Sequence, residues 1–181
     1  MATRTQVQVL YIGYFGRPAD PDGLAFWANG VVGTNEELDQ LADSFAESLE
    51  YQVAISGLTT AQIIDLFYKN MFGRTAEPTG SQFWQEGIAS GVLNPQDIGV
   101  DIGLSALEQT LPNADTQVIT AKVLAANEFT QQLAANSADD AAYTGAAGIE
   151  AGRQFLNAVL NAETIPSPAE IAGFFNGISG G

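Results

Sequence analysis

The sequence predicts an all-α fold of about eight or nine helices, and three observations support this prediction. Apolar residues recur at helical spacing along most of the chain, and hardly any segment alternates apolar and polar residues as a strand would. Residues that favour helix starts, above all Asp-Pro and Ser-Pro pairs, recur between the apolar segments. A 21-residue segment, 10–30, returns at 67–87 with ten identical positions, which indicates a duplicated helical unit.

Each copy of the repeat predicts a helix, a tight corner and a second helix. Gly16 and Gly73 lie where the first helix should end, because glycine adopts the left-handed conformation of a helix C-terminus without a Cβ penalty. Asp20-Pro21 then predicts the start of the second helix, with Asp as the capping residue and Pro in the first turn. Glu77-Pro78 repeats this arrangement with a poorer cap.

A further helix is predicted after each copy, beginning near Thr34 and near Asn94. The last third of the chain predicts a long alanine-rich helix and two shorter amphipathic helices. We therefore expect three parts: two repeats within 1–110 (about 7–57 and 58–110), a C-terminal helical segment at 111–178 packed on the same core, and a linker at 179–181.

The repeated Trp and Arg residues allow two interpretations each. Trp27 and Trp84 are predicted to anchor the core, since they recur at matching positions; stacking on a carbohydrate is the alternative. Arg17 and Arg74 are predicted to bond the free carbonyls at a helix end or a nearby carboxylate. Gripping an anionic ligand is the alternative for this pair.

Charge and composition exclude several classes of function. The chain has 6 Lys and Arg against 21 Asp and Glu, a formal net charge of −15, which disfavours nucleic acid and anionic lipid as partners. It has no His and no Cys, which removes Ser-His-Asp catalysis and the usual zinc and iron–sulfur ligands. A glycosidase with two carboxylates stays conceivable, but no such pair is marked, so we expect no enzyme. No apolar stretch is long enough to predict membrane insertion.

Calcium is a possible cofactor because its preferred ligands are hard oxygens. Asp20 and Asp22 flank the Pro of the first corner, and Asp139 and Asp140 lie in a predicted turn. These four residues are candidate calcium ligands. Helix capping is the competing role for the first pair, and the loop lacks the ligand spacing of an EF-hand.

The strings Gly-Arg-Pro-Ala-Asp-Pro-Asp-Gly-Leu-Ala-Phe-Trp at 16–27 and Gly-Arg-Thr-Ala-Glu-Pro-Thr-Gly-Ser-Gln-Phe-Trp at 73–84 resemble the signature of the DUF4214 family. The resemblance spans about the first 110 residues. It implies a non-enzymatic module, as found in the N-terminal region of surface-layer proteins that Gram-negative bacteria export by type I secretion. Absence of Cys and of an N-terminal signal is consistent with that route.

The resemblance implies a secreted cell-surface anchoring module that binds lipopolysaccharide O-polysaccharide, with calcium assisting and with self-assembly in the full-length protein. On this interpretation, surface aromatics such as Tyr51 and Tyr143 are candidate sugar contacts. The family also resembles phycobilisome linker domains, so the alternative is a protein–protein scaffold that binds no sugar.

Overall fold

A computed structural model describes residues 4–30, 34–109 and 113–179. Among these residues it contains eleven α-helices, one 3₁₀ turn at Ala162–Thr164 and no strand, which confirms the all-α prediction. The helices are α1 Arg4–Phe15, α2 Pro21–Gly30, α3 Asn35–Ala46, α4 Leu49–Ile55, α5 Thr60–Phe72, α6 Pro78–Ala89, α7 Ile98–Leu107, α8 Ala114–Ala135, α9 Ser137–Tyr143, α10 Ala146–Asn157 and α11 Pro168–Ser179.

The described residues contain two or three more helices than predicted. Helices α4 and α9 were missed, and both are seven residues long. Two helical turns are too short to display a clear apolar period. The sequence pattern therefore does not separate α4 from the helix before it, and it predicts a turn where α9 lies. Ser48 caps α4 by accepting from the backbone N–H of Tyr51.

Local sequence determines most helix ends. Thr34 and Thr59 form capping boxes with Glu37 and Gln62, which satisfy free N–H groups at the starts of α3 and α5. Gly16 and Gly73 adopt φ angles of 68° and 71°, so the predicted left-handed conformation at both corners is confirmed.

The core is centred on α1, in which every residue from Val7 to Phe15 is buried. Helices α2, α5, α7 and α8 pack around it, and this explains why α1 is apolar on all sides rather than on one stripe. The C-terminal helices α9, α10 and α11 pack on α8 and on one another, with Phe129 at the centre of their aromatic cluster.

One continuous set of buried apolar side chains extends from Val7 to Phe175. The described part of the C-terminal segment therefore contributes to the same core as the repeats. Ser179 is the last residue of α11, so the predicted linker begins inside a helix, and residues 180–181 lie outside the described residues. Within the described ranges, no helix has the length and apolar character that a membrane crossing requires.

Candidate functional site

The first corner is organised around the buried side chain of Arg17. Its Nε and Nη2 donate to the two carboxylate oxygens of Glu50 on α4, at 3.0 and 2.9 Å. Nη1 donates to the carbonyl of Pro18 at 3.2 Å. Glu50 also accepts from Arg153 on α10 at 2.9 Å, so one carboxylate joins three parts of the fold.

Aromatic rings enclose the Arg17 guanidinium. Its central carbon lies 5.5 Å from the ring centre of Tyr11, 5.3 Å from Phe15 and 5.7 Å from Tyr143. These distances allow cation–π attraction, which is strongest where water is excluded. The guanidinium is thus fully engaged inside the protein.

The second corner repeats this arrangement at the surface. Arg74 donates from Nε and Nη2 to the two carboxylate oxygens of Asp115 on α8, at 2.8 and 2.6 Å. Its Nη1 bonds the carbonyl of Thr75 and pairs with Glu77 at 2.8 Å. Tyr68 lies 5.1 Å below the guanidinium. The Arg74 side chain is 35% exposed, compared with 10% for Arg17.

The correspondence between the corners extends beyond the 21-residue repeat. Glu50 and Asp115, which bind the two arginines, are each the second residue of a helix, α4 and α8, that comes third after the helix before the corner, α1 and α5. Hydrogen bonds from the backbone N–H of Ala19 to Gln8 and of Ala76 to Asp65 also correspond. Arg17 therefore fixes the first corner to α4, and Arg74 fixes the second corner to α8 in the same way.

The structure places the repeated Phe-Trp pairs partly at the surface. Trp27 and Trp84 are partly buried against the core, and Trp84 Nε1 donates to the Tyr68 hydroxyl at 3.2 Å. Phe26 and Phe83 are 68% and 61% exposed. Each phenylalanine packs edge-on against its indole, with ring centres 4.9 and 5.0 Å apart. Each half of the fold thus presents one exposed aromatic ring supported by a fixed one.

The prediction of Tyr51 and Tyr143 as surface aromatics is wrong, because both side chains are buried. Tyr143 is fully enclosed by the aromatic cluster of the C-terminal helices and donates to the Pro18 carbonyl at 2.6 Å. Tyr51 is 4% exposed and packs between Tyr14 and Phe67. The exposed phenylalanines of the repeats are the aromatic surface that this prediction missed.

Three of the four candidate calcium ligands lie near one another. Asp20 caps α2 by accepting from the N–H of Gly23 at 2.7 Å, and Asp22 is exposed beside it. Burial raises the pKa of Asp140, and the charges of Asp22 and Asp20 raise it further. Asp139 is buried and accepts from Asn136 at 2.8 Å. Asp20 therefore performs the capping role that competed with calcium binding.

A second acidic group, formed by α3 and α7, was not predicted. Burial raises the pKa of Asp97 and Asp101, and the charge of Asp39 raises both further. Within the described residues, one enclosed oxygen of Asp43 and one of Asp97 accept no hydrogen bond. Even so, no three acidic side chains in the described ranges are placed to hold a metal ion together. This group forms between two helices that are far apart in the sequence, so the spacing of acidic residues along the chain does not predict it.

Comparison with known proteins gives a match to a family model only. No curated protein and no solved structure matches the chain. The matched segment begins inside α3 and ends with α7, so it contains the second corner but not the first, and it covers a little over a third of the chain. Residues 42–107 match the model of the family described as "Domain of unknown function (DUF4214)".

Proposed function

We propose that this chain is a non-catalytic anchoring module of a secreted protein on the surface of a Gram-negative bacterium, and that it binds polysaccharide such as lipopolysaccharide O-chains. The observation that carries the proposal is the pair of exposed rings, Phe26 and Phe83, at equivalent positions of the two repeats. The resemblance of these repeats to modules of surface-layer proteins supports the same function.

Each exposed ring has the properties of a sugar-stacking platform. A phenyl face packs on the C–H face of a pyranose, and the contact is more effective when the ring is already held in place. Trp27 and Trp84 support the rings from the side, and hydrogen bonding to Tyr68 fixes the second indole. Two such platforms offer two contact positions for a polymer with repeating units, and the contacts reinforce each other where one polymer chain reaches both.

Net charge indicates which polysaccharides are suitable. At −15, the chain repels polyanions, and the guanidinium groups of Arg17 and Arg74 are already paired with carboxylates. A neutral polysaccharide avoids this repulsion. We therefore expect uncharged O-polysaccharides to bind and acidic ones to bind more weakly.

Replacing Phe26 or Phe83 with alanine is expected to weaken polysaccharide binding about fivefold, since each ring contributes roughly 1 kcal/mol of stacking. Calorimetric titration with a panel of purified neutral O-polysaccharides measures the effect. The double variant should lose more affinity than either single variant, because it removes both platforms.

Val92→Ala is the control, because Val92 is 79% exposed and apolar but is not aromatic. It should bind as the wild type does, and all the variants should keep the wild-type thermal midpoint. Two results contradict the proposal: no member of the panel binds the wild-type chain, or the double Phe variant binds as tightly as the wild type.

Calcium assistance is a separate part of the proposal and rests on carboxylates that lack compensation, not on a formed cage. The net charge of −15, the proximity of Asp140 to Asp20 and Asp22, and the unbonded oxygens of Asp43 and Asp97 support it. The same titration in calcium and in chelator tests this part. Equal affinity and equal stability in both conditions would remove calcium from the proposal.

A protein–protein scaffold is the second candidate, and one observation favours it. Leu49 and Val53 are 79% and 67% exposed and lie one turn apart on α4. Apolar neighbours of this kind occur at protein interfaces. Sedimentation that shows self-association of the wild type and its loss in Val53→Asp, together with no polysaccharide binding, would favour the scaffold.

A further inference from the structure

A largely apolar pocket of about 180 Å³ lies between α4, α5 and α6. Its walls come from the end of α3, from α4, α5 and α6, and from the segment that enters α7. Five of the eleven lining residues are isoleucines: Ile55, Ile63, Ile64, Ile88 and Ile98. The pocket is separate from the exposed phenylalanine rings and from both arginine corners.

The Tyr51 hydroxyl is the unusual polar group of this pocket. Tyr51 borders the pocket and is 4% exposed, yet its hydroxyl bonds to no group among the described residues. In the described ranges, the fully enclosed polar side-chain atoms that make no hydrogen bond are one carboxylate oxygen of Asp43 and one of Asp97. Since the Tyr51 hydroxyl is not one of these, its oxygen is not fully enclosed, and Tyr51 is one of the residues that line the pocket.

The ring that carries this hydroxyl is held firmly. Tyr14 and Phe67 lie 5.2 and 6.1 Å from Tyr51, measured between ring centres. The neighbouring Tyr14 hydroxyl donates to the carbonyl of Gln96, so it is satisfied where Tyr51 is not. Burial raises the pKa of Tyr51 to about 12, and the hydroxyl therefore keeps its proton at neutral pH.

A hydroxyl that has no partner in the protein, on a side chain that is almost entirely buried, needs a water molecule or a ligand to pair with it. An apolar cavity of about 150 Å³ holds a benzene molecule, so this pocket has room for about six to eight non-hydrogen atoms. We infer that the pocket is a binding site for a compact apolar molecule carrying one hydroxyl or carbonyl oxygen, which pairs with Tyr51.

This inference does not depend on polysaccharide binding. Phenol and toluene have nearly the same shape and differ in the hydroxyl, so they are suitable probes. Phenol is expected to shift the methyl NMR signals of the five pocket isoleucines and to bind more tightly than toluene. Tyr51→Phe should weaken phenol binding about tenfold and leave toluene binding unchanged.

Tyr51→Phe removes no hydrogen bond within the described residues, so it should fold with wild-type stability. Tyr143→Phe is the matched control, because Tyr143 is buried and bonded to Pro18 but does not border the pocket. It should lower stability and keep phenol affinity. Absence of shifts at the pocket isoleucines up to the solubility limit of phenol overturns the inference, and so does an equal loss of both probes in Tyr51→Phe.

Discussion

Replacing Arg17 with alanine is expected to lower the free energy of unfolding by about 3 kcal/mol, compared with about 1 kcal/mol for the same change at Arg74. Arg17 is buried, pairs in bidentate geometry with Glu50 and contacts three aromatic rings. Its removal leaves a carboxylate partly uncompensated inside the protein. Arg74 has the same pairing geometry, but its guanidinium is more exposed than that of Arg17, so solvent screens the ion pair with Asp115 more strongly.

Urea denaturation of the two alanine variants at neutral pH measures this difference. Arg153 still bonds Glu50 in the Arg17 variant, which is why the expected loss lies at the lower end for a broken buried pair. Arg17→Lys should fall between wild type and alanine, because lysine keeps the charge but loses the planar fork. Equal losses of unfolding free energy at Arg17 and Arg74 would show that burial of the guanidinium does not determine how much each arginine stabilises the fold.

Local rules explain why the corners were predictable. A left-handed Gly, an Asp-Pro start and a capping Thr each act within four residues, so the chain itself displays them. The carboxylates that bind the arginines are different: Glu50 lies 33 residues from Arg17 and Asp115 lies 41 from Arg74. Both acids are the second residue of a helix, so the sequence can place each of them at a helix start. Only the tertiary fold shows which arginine each of them binds.

Burial was harder to predict where polar and apolar residues are mixed. Tyr51 lies between Glu50 and Gln52, and Tyr143 lies between Ala142 and Thr144, so their sequence neighbours do not mark them as core residues, yet tertiary packing encloses both. In α8, small alanines occupy several faces and weaken the periodic signal, and the apolar residue Leu124 is 56% exposed. Lys122, two residues earlier, is fully buried instead. Such assignments depend on how α8 is rotated against α1 and α5, which composition does not determine.

The buried amine of Lys122 is expected to make stability rise with pH in the alkaline range. Its Nζ donates to the carbonyl of Asn70 at 2.6 Å, near the C-terminal end of α5, where the helix dipole favours a positive charge. No carboxylate pairs with it among the described residues. Burial nevertheless lowers the pKa of Lys122 to about 8 from 10.5.

The sign of the effect follows from proton binding. Between these two pKa values the unfolded chain binds more protons than the folded chain, so the free energy of unfolding increases with pH. From about pH 7 to about pH 9.5 we expect a gain of about 2 kcal/mol from this residue. Above about pH 10 the buried tyrosines oppose it, since burial raises the pKa of Tyr11, Tyr14 and Tyr143 in the folded chain.

Lys122→Met should remove this gain and be at least as stable as wild type at neutral pH, because an apolar side chain of similar size replaces a poorly compensated charge. Lys69→Met is the control: Lys69 is exposed, and its loss should leave the pH profile unchanged. Urea denaturation of all three proteins across this pH range tests the prediction. If Lys122→Met keeps the wild-type slope, the gain comes from other groups, and the amine of Lys122 is stabilised well enough by the end of α5 to stay charged.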